Sequence, residues 1–448
     1  MGASIPADLP SSGPAGPVRG SFITPGFLLG FALVTSLFFL WALANNFNDI
    51  LIRQFQKALD LNRAQAGFIQ FVFYLGYFTM ALPAGMLMRR FGYRTGILFG
   101  LGLYATGAIL FYPAAELRVY GVFLAALFII ASGAAFLETA ANPYIVAFGD
   151  PSRASQRLNF AQAFNGLGGF LAPIIGGLFI FSGVEHSKAQ LAAMAPAQLA
   201  AYRAAEAHMV QTPYLTLAAV VICVGLAVAL VRLPAIDRDT AAESPASGLR
   251  AVMREPALVG AIIAQFFYVG AQVGVWSFFI DFVKELTPAI SEKHAAFLLS
   301  LSLALFMAGR FIGTGLMQRI APTRLLAAFA AINIALAAVA AVAPGAAAVA
   351  ALTLTSFFMS IMFPTIFSLG VKDLGARAML GAPLIIMAII GGAVFPPLMG
   401  EVSQWLGHVQ PAMLFPAGCF VIVMIYATRA HRGVRAEEAA RPAMAPVV

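Results

Sequence analysis

The chain has 448 residues, of which 61% are hydrophobic and only 10% are charged, and its mean hydropathy is +0.87. A soluble domain carries roughly 25% charged residues, so this composition excludes an ordinary soluble protein and favours one with many membrane spans. The net charge of +8 does not indicate a nucleic-acid partner, because the basic residues are spread over short loops. The two cysteines, Cys223 and Cys419, lie in apolar segments and are expected to pack in the core.

In chain order, the sequence contains twelve apolar segments that approach the roughly 20 residues a spanning helix needs. Residues 23–232 and 257–428 are expected to form an N-terminal and a C-terminal six-helix bundle in an all-α membrane protein. The polar residues 1–22, 233–256 and 429–448 are interpreted as a disordered cytoplasmic tail, a cytoplasmic linker and a second cytoplasmic tail. The predicted spans are residues 26–49, 66–88, 95–113, 119–149, 158–183, 212–232, 257–281, 295–318, 323–343, 346–371, 378–402 and 409–428.

Lys and Arg residues are concentrated in the connections on one side of these spans. By the positive-inside rule this side is cytoplasmic, which predicts that both termini are cytoplasmic. The basic residues on this side include Arg89, Arg90, Arg94, Arg319, Arg324 and Arg432.

The two predicted bundles also repeat one another in sequence. Three short motifs of the first half recur in the same order in the second half, which predicts a parallel six-plus-six repeat. Parallel halves are the architecture of the major facilitator superfamily, in which substrate is held between the halves near the middle of the membrane. The matches are Phe38-Phe39 with Phe266-Phe267, Leu87-Met88-Arg89-Arg90 with Leu316-Met317-Gln318-Arg319, and Gly168-Gly169-x-x-x-Pro173 with Gly391-Gly392-x-x-x-Pro396.

Two carboxylates, Asp49 and Glu138, lie in the otherwise apolar first and fourth spans. A carboxylate at the centre of a bilayer costs about 3 kcal/mol on insertion scales, so each indicates a functional site. Because a desolvated carboxylate favours its neutral form, either acid could carry a proton. Asp49 could instead lie solvated at the end of the first span beside Arg53, whereas Glu138 lies deep in a long span.

Amide and aromatic side chains follow single faces of several spans, because helical residues three or four apart are neighbours. Interhelical hydrogen bonding is the alternative explanation, at about 0.6 kcal/mol per bond. Amides both donate and accept hydrogen bonds, and aromatic rings offer a flat apolar face. This combination favours a neutral polyhydroxylated substrate such as a sugar. The candidate binding residues are Asp49, Asn46, Asn142, Gln162, Asn165, Gln265, Tyr268, Gln272 and Trp276.

The connection after the second span resembles the loop signature of the superfamily, Gly-x-x-x-Asp-Arg/Lys-x-Gly-x-Arg, between Gly85 and Arg94. Arg89 stands where the usual Asp would be. We interpret Arg89, Arg90, Arg94 and Arg319 as a conformational latch, with membrane topology alone as the alternative.

Arg310 lies inside the eighth span, where it could snorkel, bind a partner or face a cavity. No proton step is assigned to it.

Two segments, Ala-Asn-Asn-Phe-Asn-Asp at 44–49 and Leu-Glu-Thr-Ala-Ala-Asn-Pro at 137–143, resemble the L-fucose permeases. These are proton symporters of the fucose–galactose–glucose branch, and the resemblance extends over residues 26–428. It implies a role for Asp49 in sugar binding and coupling, a protonation role for Glu138, and cavity positions for Asn46, Gln162 and Asn165. Phe363 is also an expected substrate-binding residue, and it departs from the Tyr common in this family, which removes one hydroxyl contact.

The resemblance implies L-fucose:proton symport by alternating access in the bacterial inner membrane, by a monomer without cofactor or metal. The expected partners are L-fucose or a related hexose, protons and the lipid bilayer. A proton- or sodium-coupled glucose or galactose carrier of the same branch is an alternative. A transporter-like sugar sensor is another, although no segment is long enough for a signalling domain. An enzyme is not expected, because the five scattered His residues offer no nucleophile–base or metal cluster.

Overall fold

The computed structural model describes residues 21–59, 61, 63–180, 186, 188–231, 233, 245–290 and 292–440, and within them the chain is built from helices. The first half contains α1 (Leu28–Leu59), α2 (Arg63–Phe91), α3 (Tyr93–Leu117), α4 (Tyr120–Ala147), α5 (Ala154–Phe179), α6 (Lys188–Ala193), α7 (Pro196–His208) and α8 (Gln211–Leu230). The short helix α9 (Pro245–Val252) precedes the second half. That half contains α10 (Pro256–Ser277), α11 (Phe279–Leu286), α12 (Glu292–Leu316), α13 (Pro322–Val342), α14 (Gly345–Met359), α15 (Met362–Val371), α16 (Ala378–Met387), α17 (Gly391–Leu406) and α18 (Leu414–Ala440).

Eleven segments of the described chain are long and apolar enough to cross a bilayer. They cover every predicted span except the fifth, which corresponds to α5. The polar residues of α5 are Gln156, Arg157, Asn159, Gln162 and Asn165. All five face the protein interior or its cavity, so α5 crosses the bundle with its polar groups shielded from lipid.

Several predicted boundaries differ from the helices. The first span was expected to end at residue 49, but α1 continues to Leu59. Part of the expected linker at 233–256 forms α9, and α18 continues to Ala440 inside the expected C-terminal tail. Residues 1–20 of the expected N-terminal tail lie outside the described residues. Ser21 and Phe22 are not tail-like, because the Ser21 carbonyl accepts a hydrogen bond from the Asp150 amide, and the Phe22 ring packs against Phe160.

The buried Arg157 explains why this N-terminal segment is fixed. Its guanidinium donates to the carbonyls of Ile145 and Val146 in the last turn of α4, to those of Gly149 and Asp150 just after this helix, and to the carbonyl of Phe22. The carbonyls at the end of a helix have no intrahelical partner. Arg157 therefore satisfies these groups and ties α4, α5 and the start of the described chain together.

The internal repeat is visible in how equivalent helices pack. In the first half Gly168 of α5 lies against the carbonyl of Phe39 in α1, and a Cβ added there would be 2.7 Å from that oxygen. In the second half Gly391 of α17 lies against the carbonyl of Phe266 in α10, where the equivalent distance is 2.1 Å. Only glycine permits such approaches. The repeated glycine motif thus makes the same close helix contact in each half.

The two halves meet at one end of the bundle, which we call the basal end. It is the end that carries Ser21, the connection between α2 and α3, and the start of α5. There the Ser155 hydroxyl lies 2.6 Å from the Ser368 hydroxyl, and the Asn159 amide donates to the Thr365 hydroxyl at 3.2 Å. These bonds join α5 to α15 and close the space between the halves from below.

Candidate functional site: a polar cavity between the halves

A cavity of about 470 Å³ lies between the two halves above the basal contacts, within the usual 300–1,000 Å³ range for small-molecule sites. Its wall combines hydrogen-bonding groups with aromatic rings. The polar lining residues are Asn45, Asn46, Tyr74, Tyr77, Glu138, Gln162, Asn165, Gln272, Trp276, Ser277 and Arg310, and the aromatic ones include Trp41, Phe73, Phe170, Phe306 and Phe363.

Most predicted binding residues lie on this wall, but three do not. Asn142 lies behind it, where its amide donates to the Glu138 carbonyl at 3.0 Å and its oxygen accepts from Gln162 Nε2 at 3.2 Å. The expected cavity positions of Gln265 and Tyr268 are wrong. The Tyr268 hydroxyl donates to the Met359 carbonyl at 3.1 Å, and Gln265 is fully buried without a hydrogen-bond partner among the described residues. Asp49 belongs to α1, but its side chain lies outside the described residues and its role stays a prediction.

Glu138 lies at the inner wall of the cavity and is only 5% exposed. Its carboxyl interacts with the Tyr77 hydroxyl and the Asn142 amide, and it lies within the electrostatic field of Arg310. Tyr77 in turn donates its hydroxyl hydrogen to Asn45 Oδ1 at 3.2 Å. The carboxyl therefore belongs to a polar network that joins α1, α2 and α4.

Arg310 is the cation among the described residues that line the cavity, and it is 4% exposed. Its Nε donates to the Ser360 carbonyl at 3.1 Å, and its Nη1 donates to Gln162 Oε1 at 3.0 Å and to the Gln162 carbonyl. The guanidinium also lies over the Phe306 ring, 4.6 Å from its centroid. A single side chain of the second half is thereby bonded to α5 of the first half.

The Ser360 carbonyl is available to Arg310 for a reason that the sequence explains. Helical residue 364 would normally donate its N–H to this carbonyl, but Pro364 has no N–H and its ring excludes the carbonyl four residues earlier. The tenth span accordingly breaks between α14 and α15 at Ser360. The break supplies an acceptor at the depth of the cavity.

Trp276 forms a fixed aromatic wall. Its ring nitrogen donates to the Ser356 hydroxyl at 3.0 Å, and this hydroxyl lies 2.6 Å from that of Ser302. Since indole has one N–H, the group is already used inside the protein. The ring also packs edge-on against Phe306 at 5.1 Å between centroids. Trp276 therefore offers its apolar ring to the cavity.

The predicted latch residues lie at the basal end, away from the cavity. Arg94 donates to the Ala229 carbonyl at the end of α8, and the Arg90 guanidinium lies 5.1 Å from the ring centroid of Phe91. Both contacts stay within the first half. Arg319 is exposed just after α12. The same loop motif does reach the other half through Gly85, which lies against Met379 and Pro383 of α16.

Sequence reasoning missed Tyr77 and left Arg310 without a role. Tyr74 and Tyr77 are three residues apart in the second span, which places both on one face of α2 and was a usable signal. The signal for Arg310 was its position in an apolar span. Its partners could not be read from the sequence, because Gln162 is 148 residues away.

The helical bundle, its internal repeat and the cavity between the halves define a membrane transporter. The chain belongs to the Major Facilitator Superfamily, whose family model matches residues 22–381. The expected fold class is confirmed.

Within the superfamily, the chain is similar to individual sugar transporters. The chain is 46% identical to the L-fucose-proton symporter of Escherichia coli over 90% of this chain and 93% of that protein. It is 38% identical to a glucose/galactose transporter of Brucella abortus over 89% and 93% of the two chains. A crystal structure of the Major Facilitator Superfamily transporter FucP in the outward conformation superposes with a TM-score of 0.85 at 45% identity, covering 90% of this chain and 99% of that chain. The resemblance to the L-fucose permeases is thus confirmed.

Proposed function

We propose that this protein is a secondary active sugar transporter that takes up L-fucose or a closely related hexose together with a proton. The observation that carries the proposal is the composition of the cavity. It places the buried carboxyl of Glu138 near the cation of Arg310, among amides and aromatic rings that suit a neutral sugar. The L-fucose-proton symporters among the relatives support the choice of sugar and ion.

In the proposed cycle the basal end is the cytoplasmic end, in accord with the positive-inside rule. The contacts between α5 and α15 then close the cytoplasmic side, and the cavity above them receives solutes from outside. Sugar binding favours an occluded state, after which the halves rock to open the basal end. Proton and sugar are coupled because both must favour the same conformations, since a ligand shifts an equilibrium only through differential affinity.

The hydrogen bond from Tyr77 to Asn45 suits a protonated carboxyl at Glu138. Tyr77 has one hydroxyl hydrogen, which it donates to Asn45 Oδ1. The phenol oxygen can then only accept a bond from Glu138, and only a protonated carboxyl can donate one. Once the proton leaves Glu138, its carboxylate and Asn45 Oδ1 would compete for the single hydroxyl hydrogen of Tyr77. Loss of the proton is therefore proposed to rearrange the hydrogen bonds among Glu138, Tyr77 and Asn45.

The decisive experiment compares uphill uptake and exchange in Glu138→Gln, which keeps the size of the side chain but cannot titrate. In energised vesicles we expect the variant to lose proton-driven accumulation of L-fucose while retaining exchange of labelled for unlabelled sugar. Exchange should also become independent of pH. Accumulation at the wild-type level would contradict the assignment of Glu138 as the proton carrier.

Asp49 is proposed to join sugar binding to coupling, as the family resemblance implies. Asp49→Asn is then expected to impair sugar exchange as well as accumulation, which separates its role from that of Glu138. Unchanged exchange in Asp49→Asn would remove this residue from the sugar site.

A glucose or galactose carrier is the second candidate, and Phe363 favours it. This residue lines the cavity as a ring without a hydroxyl, so the wall lacks a contact that its family resemblance leads one to expect for L-fucose. Competition of labelled L-fucose uptake by glucose, galactose and other hexoses, with and without sodium, distinguishes the two. External alkalinisation on adding sugar would identify the proton as the coupling ion.

A further inference from the structure

A second cavity lies on the outside of the C-terminal bundle, apart from the sugar cavity. It is a groove of about 420 Å³ between the start of α10, the end of α15 and the basal half of α18. Its wall is mostly apolar, and two of its side chains, Ile263 and Ile425, are 47% and 41% exposed. In a membrane-spanning bundle, such side chains on the outer surface face lipid.

The floor of this groove is a fixed part of the fold. Tyr426 is 8% exposed, and its hydroxyl donates to the Ile366 carbonyl at 3.5 Å. Its ring packs against Gly260, where an added Cβ would lie 3.0 Å from Tyr426 Cδ2. The floor of the groove is thus shaped by buried contacts between α10, α15 and α18.

The basal rim of the groove carries an excess of positive charge. Lys372 and Arg429 are exposed lining residues, and Asp373 is the carboxylate among the described lining residues. The nearby Arg377 and Glu255 form a pair with each other at 3.5 Å. Lys372 and Arg429 at the basal rim and the apolar wall of the groove together complement a molecule that has an anionic head and a hydrocarbon chain.

We propose that this groove binds an acidic phospholipid. Its phosphodiester head lies at Lys372 and Arg429, and one acyl chain follows Ile263, Ile422 and Ile425 into the membrane. Basic residues next to the apolar region of a bilayer attract anionic lipid heads in this way. The site is separate from the sugar cavity and does not rest on the assignment of the transported sugar.

Native mass spectrometry of the full chain in detergent, titrated with phosphatidylglycerol, tests the proposal. Phosphatidylcholine and phosphatidylethanolamine with the same acyl chains serve as comparison lipids. Phosphatidylglycerol should bind most tightly. Lys372→Gln and Arg429→Gln should each weaken it roughly fivefold, the factor that corresponds to about 1 kcal/mol per basic residue at an acidic membrane surface. The matched control is Arg432→Gln, because Arg432 is exposed on α18 but does not line the groove.

Three results would overturn the proposal. Equal affinities for phosphatidylcholine and phosphatidylglycerol would mean that the groove binds acyl chains without recognising the lipid head group. An equal loss of phosphatidylglycerol affinity in Arg432→Gln would mean that the overall positive charge of the basal end attracts the lipid, without a specific site in the groove. Preferential binding of phosphatidylethanolamine that is lost in Asp373→Asn would mean that the rim recognises a zwitterionic head.

Discussion

Arg310 and Gln162 belong to opposite halves of the bundle, yet the Arg310 guanidinium bonds both the side-chain oxygen and the backbone carbonyl of Gln162. Its third bond goes to the Ser360 carbonyl in its own half. The planar fork of arginine can aim separate N–H groups at acceptors on two helices. The cavity is therefore crossed by a charged bond that must change whenever the halves separate at this level.

Replacing Arg310 with Lys retains the charge but removes the fork. We expect the initial rate of sugar uptake in proteoliposomes to fall at least tenfold, since losing a hydrogen bond to a charged group costs about 1.5–3 kcal/mol. Arg254→Gln is the control, because Arg254 is exposed in a basal connection outside the cavity. Wild-type uptake in Arg310→Lys would show that the charge alone is sufficient.

Gln265 and Gln272 form a matched pair on α10, one outside the cavity and one on its wall. Gln265→Leu removes a buried amide that has no hydrogen-bond partner in the described chain. Leaving such a group unsatisfied costs about 1–3 kcal/mol, so the melting temperature in detergent should rise while the KM for sugar stays unchanged. Gln272→Leu should instead raise the KM for sugar and leave the melting temperature no higher than that of the wild type. A raised KM in Gln265→Leu would return this residue to the binding site.

Ser368→Ala removes the hydroxyl that contacts Ser155 across the basal end. A neutral hydrogen bond contributes about 0.5–1.5 kcal/mol, which predicts a roughly two- to tenfold shift toward conformations with an open basal end. Distances between spin labels on the basal ends of α5 and α15 would measure it. Ser300→Ala is the control, because the Ser300 hydroxyl bonds only within its own helix turn, to the Ala296 carbonyl. An equal shift in both variants would contradict the proposed seal.

Gly85 permits the close approach of α2 and α16 at the same end. A Cβ added there would lie 2.4 Å from Pro383 Cγ and 2.5 Å from the Met379 carbonyl oxygen. Gly85→Ala should therefore wedge the halves apart at a cost of about 1–3 kcal/mol and favour the open basal end. In the same spin-label experiment Gly102→Ala should have no effect, because its Cβ would meet nothing within 4 Å. An unchanged distance in Gly85→Ala would show that α16 can shift without opening the base.

The bundle could be predicted from the sequence because each span is long and apolar, but the cavity could be predicted only in part. Gln265, Tyr268, Gln272 and Trp276 share one face of α10, as their spacing indicates. Only the last two reach the cavity, because packing closes it below Val269. Spacing along a helix fixes the direction of a side chain, whereas the depth at which two halves meet depends on long-range packing.

Long-range packing also limited what could be predicted for the two charged residues of the cavity. Glu138 could be recognised as a buried acid because a long apolar helix surrounds it in the sequence. The role of Arg310 depended on the carbonyl that Pro364 leaves free and on a glutamine of the other half. Neither partner is near it in the chain, so the sequence left three roles open. The fold excludes snorkelling, because Arg310 both lines the cavity and bonds partners within the bundle.

The bonds that seal the base join uncharged groups. Ser155 meets Ser368, Asn159 meets Thr365, and the Gln156 amide donates to the Thr314 carbonyl at 3.4 Å. Dissolved salt screens interactions between charges, and it acts weakly on short bonds between neutral dipoles. These bonds should therefore hold almost equally well in dilute and in concentrated salt solution. An ionic strength that weakens surface ion pairs would leave this closure of the basal end at nearly its normal strength.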